Sequence, residues 1–159
     1  MISPTDNKFY LSKEGLARVK EEHRKLIEFK KGKIRGEVPA LLHSEDVNPE
    51  YLAFQEDLSI LESRLAEYEE ILKNAELTTL PPKEKRGEVH LGAKVKIDLG
   101  GEVDEFTIVG TLETNPLEKK ISNLSPLGSG LLGAKVGDVI KIKTALVNHD
   151  CRILKISYR

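Results

Sequence analysis

From Tyr51 to Ala75 the apolar residues fall at Tyr51, Phe54, Leu58, Leu61, Leu65, Tyr68, Leu72 and Ala75, separated by 3, 4, 3, 4, 3, 4 and 3 positions. This is an unbroken a/d heptad seam, and the positions between are mostly Glu, Gln, Ser, Lys and Arg. A helix of about 25 residues is roughly 37 Å long at ~1.5 Å per residue. Alone it would leave its stripe in water, so the chain must supply a second helix to cover it.

That partner lies upstream. Ser12 is placed as an N-cap, with Gly15 and Leu16 in the first turns. Leu16, Val19, His23, Leu26 and then Phe29 or Lys30 continue a looser 3–4 pattern, extended by Ile34, Val38 and Leu41 or Leu42. Only a short break, Ser44 to Pro49, separates the two segments, so they fold back antiparallel as an αα-hairpin with its tip near residues 43–49. The first helix is the weaker. Gly32 and Gly36 each cost about 1 kcal/mol relative to Ala, and Pro39 removes a helical hydrogen bond, so it kinks or ends near Gly36–Pro39.

Near residue 80 the pattern changes. Thr78 to Gly87 carries Pro81-Pro82, then charge, then glycine, and reads as a linker. The domain boundaries expected are therefore 1–77 for the hairpin, 78–88 for the linker and 89–159 for a second domain. Beyond the linker the period is two. Val95 and Ile97 alternate with Lys and Asp, Gly100-Gly101 marks a turn, and Phe106 and Ile108 follow on the next strand. Lys120 to Asn123 is short and extended, and Leu127 to Leu132 fits one or two helical turns closed by Gly133. Val139–Lys143 and Arg152–Tyr158 alternate again around a polar turn at Val147-Asn148-His149-Asp150. The fold class is α+β: a coiled-coil hairpin followed by a small twisted sheet domain.

Composition narrows the function classes. Hydrophobic residues make up 39% and charged residues 32%, and there is no tryptophan, which suits long solvated helices and a limited core. A net charge of −1 excludes a chain that is basic throughout, so any contact with nucleic acid must come from local patterning. Cys151 is the single cysteine, which excludes an intramolecular disulfide and a zinc-finger site; its alternating apolar context reads as buried. The first ten residues lack an apolar signal core and no segment reaches membrane-spanning length, so the expectation is a cytoplasmic protein with no membrane partner.

Several short runs, in order, are similar to the GreA/GreB transcript-cleavage factors. Leu11-Ser12-Lys13-Glu14-Gly15 resembles the family's Leu-Thr-x-x-Gly opening, and Asn48-Pro49-Glu50-Tyr51-Leu52-Ala53 its Asn-Ala-Glu-Tyr-x-Ala. Arg64-Leu65-Ala66-Glu67, Asn74-Ala75, Ile108-Val109-Gly110, Ile121-Ser122, Ser125-Pro126 and Leu131 to Asp138 follow in order and spacing. The resemblance implies an FKBP-like second domain that docks on RNA polymerase and a hairpin that enters the secondary channel toward the backtracked RNA 3′ end. It implies that tip acids help hold a Mg²⁺ shared with the polymerase, with no cofactor bound by the isolated protein. An accessory factor is expected, monomeric, with no complete active site of its own. Carboxylates are hard oxygen ligands suited to Mg²⁺, and paired metal ions stabilise attacking and leaving oxygens.

The tip departs from the family. Its usual Gly-Asp-Leu-x-Glu-Asn-Ala-Glu-Tyr becomes Glu45-Asp46-Val47-Asn48-Pro49-Glu50-Tyr51, and the chain is two residues shorter than a common form of the family. Aligning Asp46-Val47 with Asp-Leu retains Asp46 as the first tip acid and deletes the second, for which Glu45 is the available neighbour. Glu50 opens the second helix, where the dipole also favours a negative charge.

Other residues carry two readings. Arg24, Lys25, Lys30, Lys31, Lys33 and Arg35 place six cations within twelve residues, with Glu28 the only acid. Lys30, Lys31, Lys33 and Arg35 are the candidates for RNA or polymerase contact, against a solvated face paired with acids of the second helix. Ser125 and Pro126 are candidates for polymerase docking, against a purely structural turn. His23 falls on the seam and reads as a packed polar residue, and His43 lies near the tip. Three further functions stay open: a channel-occupying polymerase regulator without cleavage stimulation, a coiled-coil adaptor or chaperone, and a peptidyl-prolyl isomerase. The last is disfavoured because Phe106 and Tyr158 are the only aromatics of the second domain.

Overall fold

The computed structural model of the protein describes residues 7–43, 45–143 and 148–158. In chain order the elements are β1 (Phe9–Leu11), α1 (Lys13–Arg35), β2 (Leu42–His43), β3 (Asp46–Val47), α2 (Pro49–Lys73) and β4 (Ala75–Leu77). They continue with β5 (Lys94–Leu99), β6 (Glu102–Val109), β7 (Lys120–Ser122), α3 (Pro126–Leu131), β8 (Val139–Lys143) and β9 (Asn148–Ser157). The chain forms two compact units, Glu14–Asn74 and the remainder, Met1–Lys13 with Ala75–Arg159.

In the first unit, α1 and α2 run antiparallel. Glu22 meets Tyr68, His23 meets Glu69, Lys30 meets Glu62 and Lys33 meets Asp57, so partners descend α2 as α1 ascends. On α2 the seam is as spaced in the sequence. Leu61 and Leu65 are buried, Tyr51, Phe54, Leu58, Tyr68 and Leu72 are half-buried, and every residue between positions 51 and 68 off that seam is exposed. Each fully buried Leu contributes on the order of 2 kcal/mol. Ala75 is the exception. The helix ends at Lys73 with Asn74 as C-cap, and Ala75 begins β4.

On α1 the seam runs Leu16, Val19, His23, Leu26, Lys30, Lys33, again at 3–4 spacing, and all six are half-buried. Phe29 is 65% exposed, so Lys30 and not Phe29 faces α2. The apolar extension through Ile34, Val38, Leu41 and Leu42 does not pack, since these stay about half exposed. The reason lies in register: α1 ends at Arg35, short of Pro39, and the last two turns of the seam fall on lysines. Lysine stems cover apolar surface while their ammonium groups reach water and acids.

The second unit contains more of the chain than the sequence suggested. β1 pairs in parallel with β4, Phe9 opposite Ala75 and Leu11 opposite Leu77. Residues 78–88, expected as a linker, belong to this unit. Thr78 N–H donates to Leu11 C=O at 2.8 Å, Arg86 Nε–H donates to Pro81 C=O at 3.1 Å, and Glu88 bridges to Lys135. α2 has already ended at Lys73, and the prolines lie in a stretch hydrogen-bonded within this unit. Three of the four residues expected as a polar turn at 147–150 are not a turn. Asn148, His149 and Asp150 are already strand, paired with Lys143, Ile142 and Lys141, while Val147, like Ser44 and the side chain of His43, lies outside the described residues.

The main sheet has the order β7-β6-β5-β9-β8, antiparallel except for the parallel β6–β7 pair. Alternation sorts its faces. Val95, Ile97, Ile108, Ile142, Cys151 and Ile153 turn inward and pack with Leu131 of α3. Lys94, Lys96, Glu105, Thr107, Arg152 and Lys155 alternate with them on the outer face. Between Lys96 and Ile97 the register with β9 shifts by one residue, a bulge that places Leu154 outside the pairing. Gly100 and Gly101, with φ of 65° and 98°, close the β5–β6 hairpin as the sequence indicated.

β1 crosses the unit at closest range over Gly110. A Cβ built there would lie 1.9 Å from the Tyr10 carbonyl oxygen, so no side chain fits. The Gly110→Ala substitution must push β1 aside, and we expect a loss of about 2–4 kcal/mol in urea unfolding. Gly32→Ala on α1 meets nothing within 4 Å. It should stabilise by about 1 kcal/mol in the same measurement.

Candidate functional site at the hairpin tip

The tip is built from backbone pairing and one asparagine. α1 stops at Arg35, and the next residue, Gly36, still donates its N–H to Gly32 C=O at 3.0 Å. β2 and β3 then form a two-residue antiparallel ladder, Leu42 opposite Val47 and His43 opposite Asp46. Asn48 closes it. Its backbone N–H donates to Leu41 C=O at 2.9 Å, its side-chain amide donates to Ala40 C=O at 2.9 Å, and its Oδ1 accepts from Glu50 N–H at 3.0 Å. The one residue thus caps α2 and ties the two limbs of the tip together. Pro49 at the first helical position fixes φ where no donor is needed. The sequence showed Asn48 only as part of a resemblance; its role follows from a contact with Ala40, eight residues away.

Glu45 and Asp46 are both exposed at this end. Asp46 stands in the ladder, and Glu45 lies in the connection just before it. Among the described residues, no three His, Cys, Asp or Glu side chains come together as a metal-holding group. The tip thus presents two adjacent carboxylates with open coordination sites, chemically suited to a hard cation but short of a full ligand set.

The basic run divides by face. Lys30 Nζ lies 3.3 Å from Glu62, and Lys33 Nζ lies 3.2 Å from Asp57 and 5.2 Å from the centre of the Phe54 ring. Arg24 bonds Glu21 at 2.6 Å and Glu28 at 2.7 Å, which holds the Glu21 carboxyl below its usual range. Lys31 and Arg35, one turn apart on α1, are exposed and have no ion-pair partner among the described residues. Of the four cations singled out, these two keep their charge free for a ligand.

Ser125 and Pro126 sit at the start of α3. The Ser125 hydroxyl donates to Ser122 C=O at 2.7 Å and accepts from Gly128 N–H at 3.0 Å. Its hydrogen bonding is thereby used within the turn, and the exposed neighbours are Pro126 and Leu124, the latter at 59%. Leu124 was not legible as a surface residue, because an apolar residue next to Ser-Pro reads equally as core. Gly128 is required here, since a Cβ would lie 2.0 Å from the Ser122 carbonyl oxygen.

The remaining singled-out residues are structural in setting. Cys151 is fully buried, and desolvation pushes its thiol up from the usual range. The His23 ring lies on the seam with Nε2 3.8 Å from Glu69. Tyr158 donates to Glu88 C=O and accepts from His90 N–H at 2.9 Å, and burial raises its hydroxyl pKa. It borders a cleft of about 440 Å³ lined also by Leu80, Gly92, Lys94, Thr107, Glu118, Lys120 and Ser157. Tyr158 is the one aromatic in that lining, which lacks the aromatic walls an isomerase pocket requires. Among the described residues, no helix is long and apolar enough to cross a membrane.

Comparison with known proteins covers nearly the whole chain. A family model described as the GreA/GreB transcription elongation factor N-terminal domain matches residues 9–77, and the corresponding C-terminal model matches residues 83–158. Transcription elongation factor GreA of Thermomicrobium roseum is 32% identical over 148 residues, covering 92% of this chain and 95% of its own. That of Mycoplasma genitalium is 38% identical over 158 residues, covering 96% and 98%. That of Clostridium acetobutylicum is 36% identical over 141 residues, covering 86% and 89%.

The clamp at the tip can be tested directly. Asn48→Ala removes the α2 cap and the bond to Ala40, and should cost about 1–2 kcal/mol in urea unfolding. Native-state hydrogen exchange should quicken at Glu50 N–H and Asn48 N–H while amides near Leu61 and Leu65 keep their protection. Unchanged exchange at Glu50 would remove the assigned role.

Proposed function

The chain belongs to the GreA/GreB family of transcription elongation factors, and we propose that it acts on RNA polymerase by presenting Glu45 and Asp46 at the end of its helical hairpin. In this reading the hairpin enters the secondary channel, the tip approaches the backtracked RNA 3′ end, and the polymerase's own cleavage of that RNA is stimulated. The protein is then an accessory factor in the cytoplasm, working as a monomer. The observation that carries the reading is the tip itself: two exposed, adjacent carboxylates held on a short ladder by Asn48.

Asp46 and Glu45 would supply part of the ligand set of a Mg²⁺ shared with the polymerase, which would lend charge stabilisation to phosphodiester hydrolysis. This chain's part is to hold Asp46 in a fixed direction, with Glu45 as the second donor. Lys31 and Arg35, unpaired on the outer face of α1, are placed to attract the RNA backbone in a salt-dependent way. Lys30 and Lys33, which pair across the seam, contribute first to holding the hairpin. At the other unit, Pro126 with the exposed Leu124 is the surface proposed to dock on the polymerase, positioned by Ser125.

A second reading is favoured by one feature, the shortened tip. With only Asp46 and Glu45 available, the protein would occupy the channel and slow nucleotide addition without stimulating cleavage.

Cleavage of 3′-labelled RNA in a backtracked complex of the cognate polymerase separates the two. We expect the wild-type protein to speed cleavage and Asp46→Ala to reduce the stimulation by at least about tenfold, the size of one lost charge-stabilising contact. Glu45→Ala should reduce it less, with polymerase binding unchanged in both. A wild-type protein that binds and slows nucleotide addition without cleavage would establish the regulator instead.

A further inference from the structure

The most exposed large apolar side chain among the described residues is Leu117, at 95%. A single leucine in water is ordinary. This one is held there by a built turn. It stands in the middle of a 3-10 turn, Pro116–Glu118, where the Oδ1 of the N-cap Asn115 accepts from Leu117 N–H at 3.1 Å. Asn115 and Lys120 close the loop with reciprocal backbone bonds of 3.0 and 2.9 Å. Lys119, between them, has a φ of 54°, the one left-handed residue among those described that is not glycine. L side chains avoid that region, so the surroundings must hold it there. They do so through Lys119 N–H donating to Pro116 C=O at 3.2 Å, an ion pair of the ammonium with Asp104, and the Phe106 ring 6.0 Å away.

Leu117 also has apolar company. It lies three residues before β7, an edge strand of the main sheet, and Leu124, 59% exposed, lies two residues after it. Leu112, 44% exposed, belongs to the short turn Thr111–Glu113, which adjoins the same strand. Three exposed leucines thus gather around one strand of about 10 Å, at ~3.3 Å per residue. The charges beside them are matched. Lys119 pairs with Asp104, which holds that carboxyl below its usual range, and Lys120 pairs with Glu118 at 2.7 Å.

We propose that Leu117 is the anchor of an apolar docking surface at the β7 edge, and that its occupant is an apolar pocket on the protein surface of RNA polymerase. This rests on the reading that places Pro126 and Leu124 against the polymerase, and it extends that surface to the other end of β7. The chemistry favours protein over nucleic acid. Phosphate contact needs cations in excess, and here each lysine has its own acid. Base stacking needs an open aromatic face, and the ring at this turn lies beneath Lys119. A side chain held out by a locked turn loses little freedom when it is buried, which is how a rigid knob gains affinity over a mobile one. The left-handed Lys119 is then part of how the knob is presented, a backbone conformation that the sheet itself does not require.

The test is fluorescence anisotropy of the labelled full chain titrated with its cognate RNA polymerase, at two salt concentrations. Leu117→Ser should bind at least about tenfold more weakly, the loss expected of an anchor residue. The loss should be the same at both salt concentrations, since no charge is involved. Its melting midpoint should equal that of the wild type, because the side chain packs on nothing within the fold. Leu117→Met, which keeps the apolar volume, should stay within about threefold of wild type. Wild-type affinity in Leu117→Ser, with Leu124→Ser weakened, would overturn this inference and leave the docking reading standing. Wild-type affinity in both serine variants would remove the docking surface altogether, and a wild-type chain that does not bind the polymerase would end both ideas. A loss that disappears at high salt, or one accompanied by a lower melting midpoint, would assign Leu117 to phosphate contact or to the fold and would equally overturn the proposal.

Discussion

A single helix with an apolar stripe along its length is not stable in water, and the cover for α2 comes from its own chain. That seam organises the first unit, but it is not uniform. Toward Leu61 and Leu65 the helices exclude water. Toward the tip, α1 offers Lys30 and Lys33, which pair with Glu62 and Asp57. Exposed ion pairs contribute about 0–1 kcal/mol each, well below the ~2 kcal/mol of a buried Leu. The distal turns are therefore held weakly by packing, and order at the tip must come from another source. The β2–β3 ladder and the three hydrogen bonds of Asn48 supply it.

How much of this was legible depends on how local each interaction is. The α2 stripe could be read to the residue because its period is set within one helix. The choice between Phe29 and Lys30 could not, because both fit a 3–4 pattern on α1 and only the register against α2 selects one. β1 and β4 escaped notice for the same reason. Each is three residues long, and they pair with each other across the 63 positions from 12 to 74, Phe9 opposite Ala75 through Leu11 opposite Leu77. The stretch around Pro81-Pro82 reads as a linker from its composition, which does not say whether it is held or free. Proline stops a helix, but it does not make the following backbone free, and here Thr78 and Arg86 are both hydrogen-bonded within the unit.

Several residues that carried the family resemblance prove to hold backbone geometry. Gly110 lets β1 cross within contact distance, Ser125 caps α3, and Asn48 caps α2. None of these roles needs a ligand. A signature made of such residues identifies the scaffold sharply, and the chemistry must be read from what the scaffold leaves exposed: Glu45 and Asp46 at the tip, Lys31 and Arg35 beside it, Leu124 and Pro126 near α3. The exposure of Leu124 and the capping role of Asn48 were not legible, because both depend on their surroundings.

The shortened tip follows from the same geometry. Asn48 bonds both Ala40 and Leu41, which fixes the ends of the loop between them, and the His43–Asp46 pair leaves two residues at its turn. A loop closed this tightly has no room for a second acid on the far side of Asp46, where Val47 completes the ladder and Asn48 the clamp. A second carboxylate can enter only on the near side, at Glu45. The ladder sets the direction of Asp46 through its pairing, whereas Glu45 precedes the pairing and its direction is not set by it. On the alignment that keeps Asp46 as the first tip acid, the neighbouring carboxylate lies on its N-terminal flank, at Glu45, and both stand exposed at the end of the hairpin.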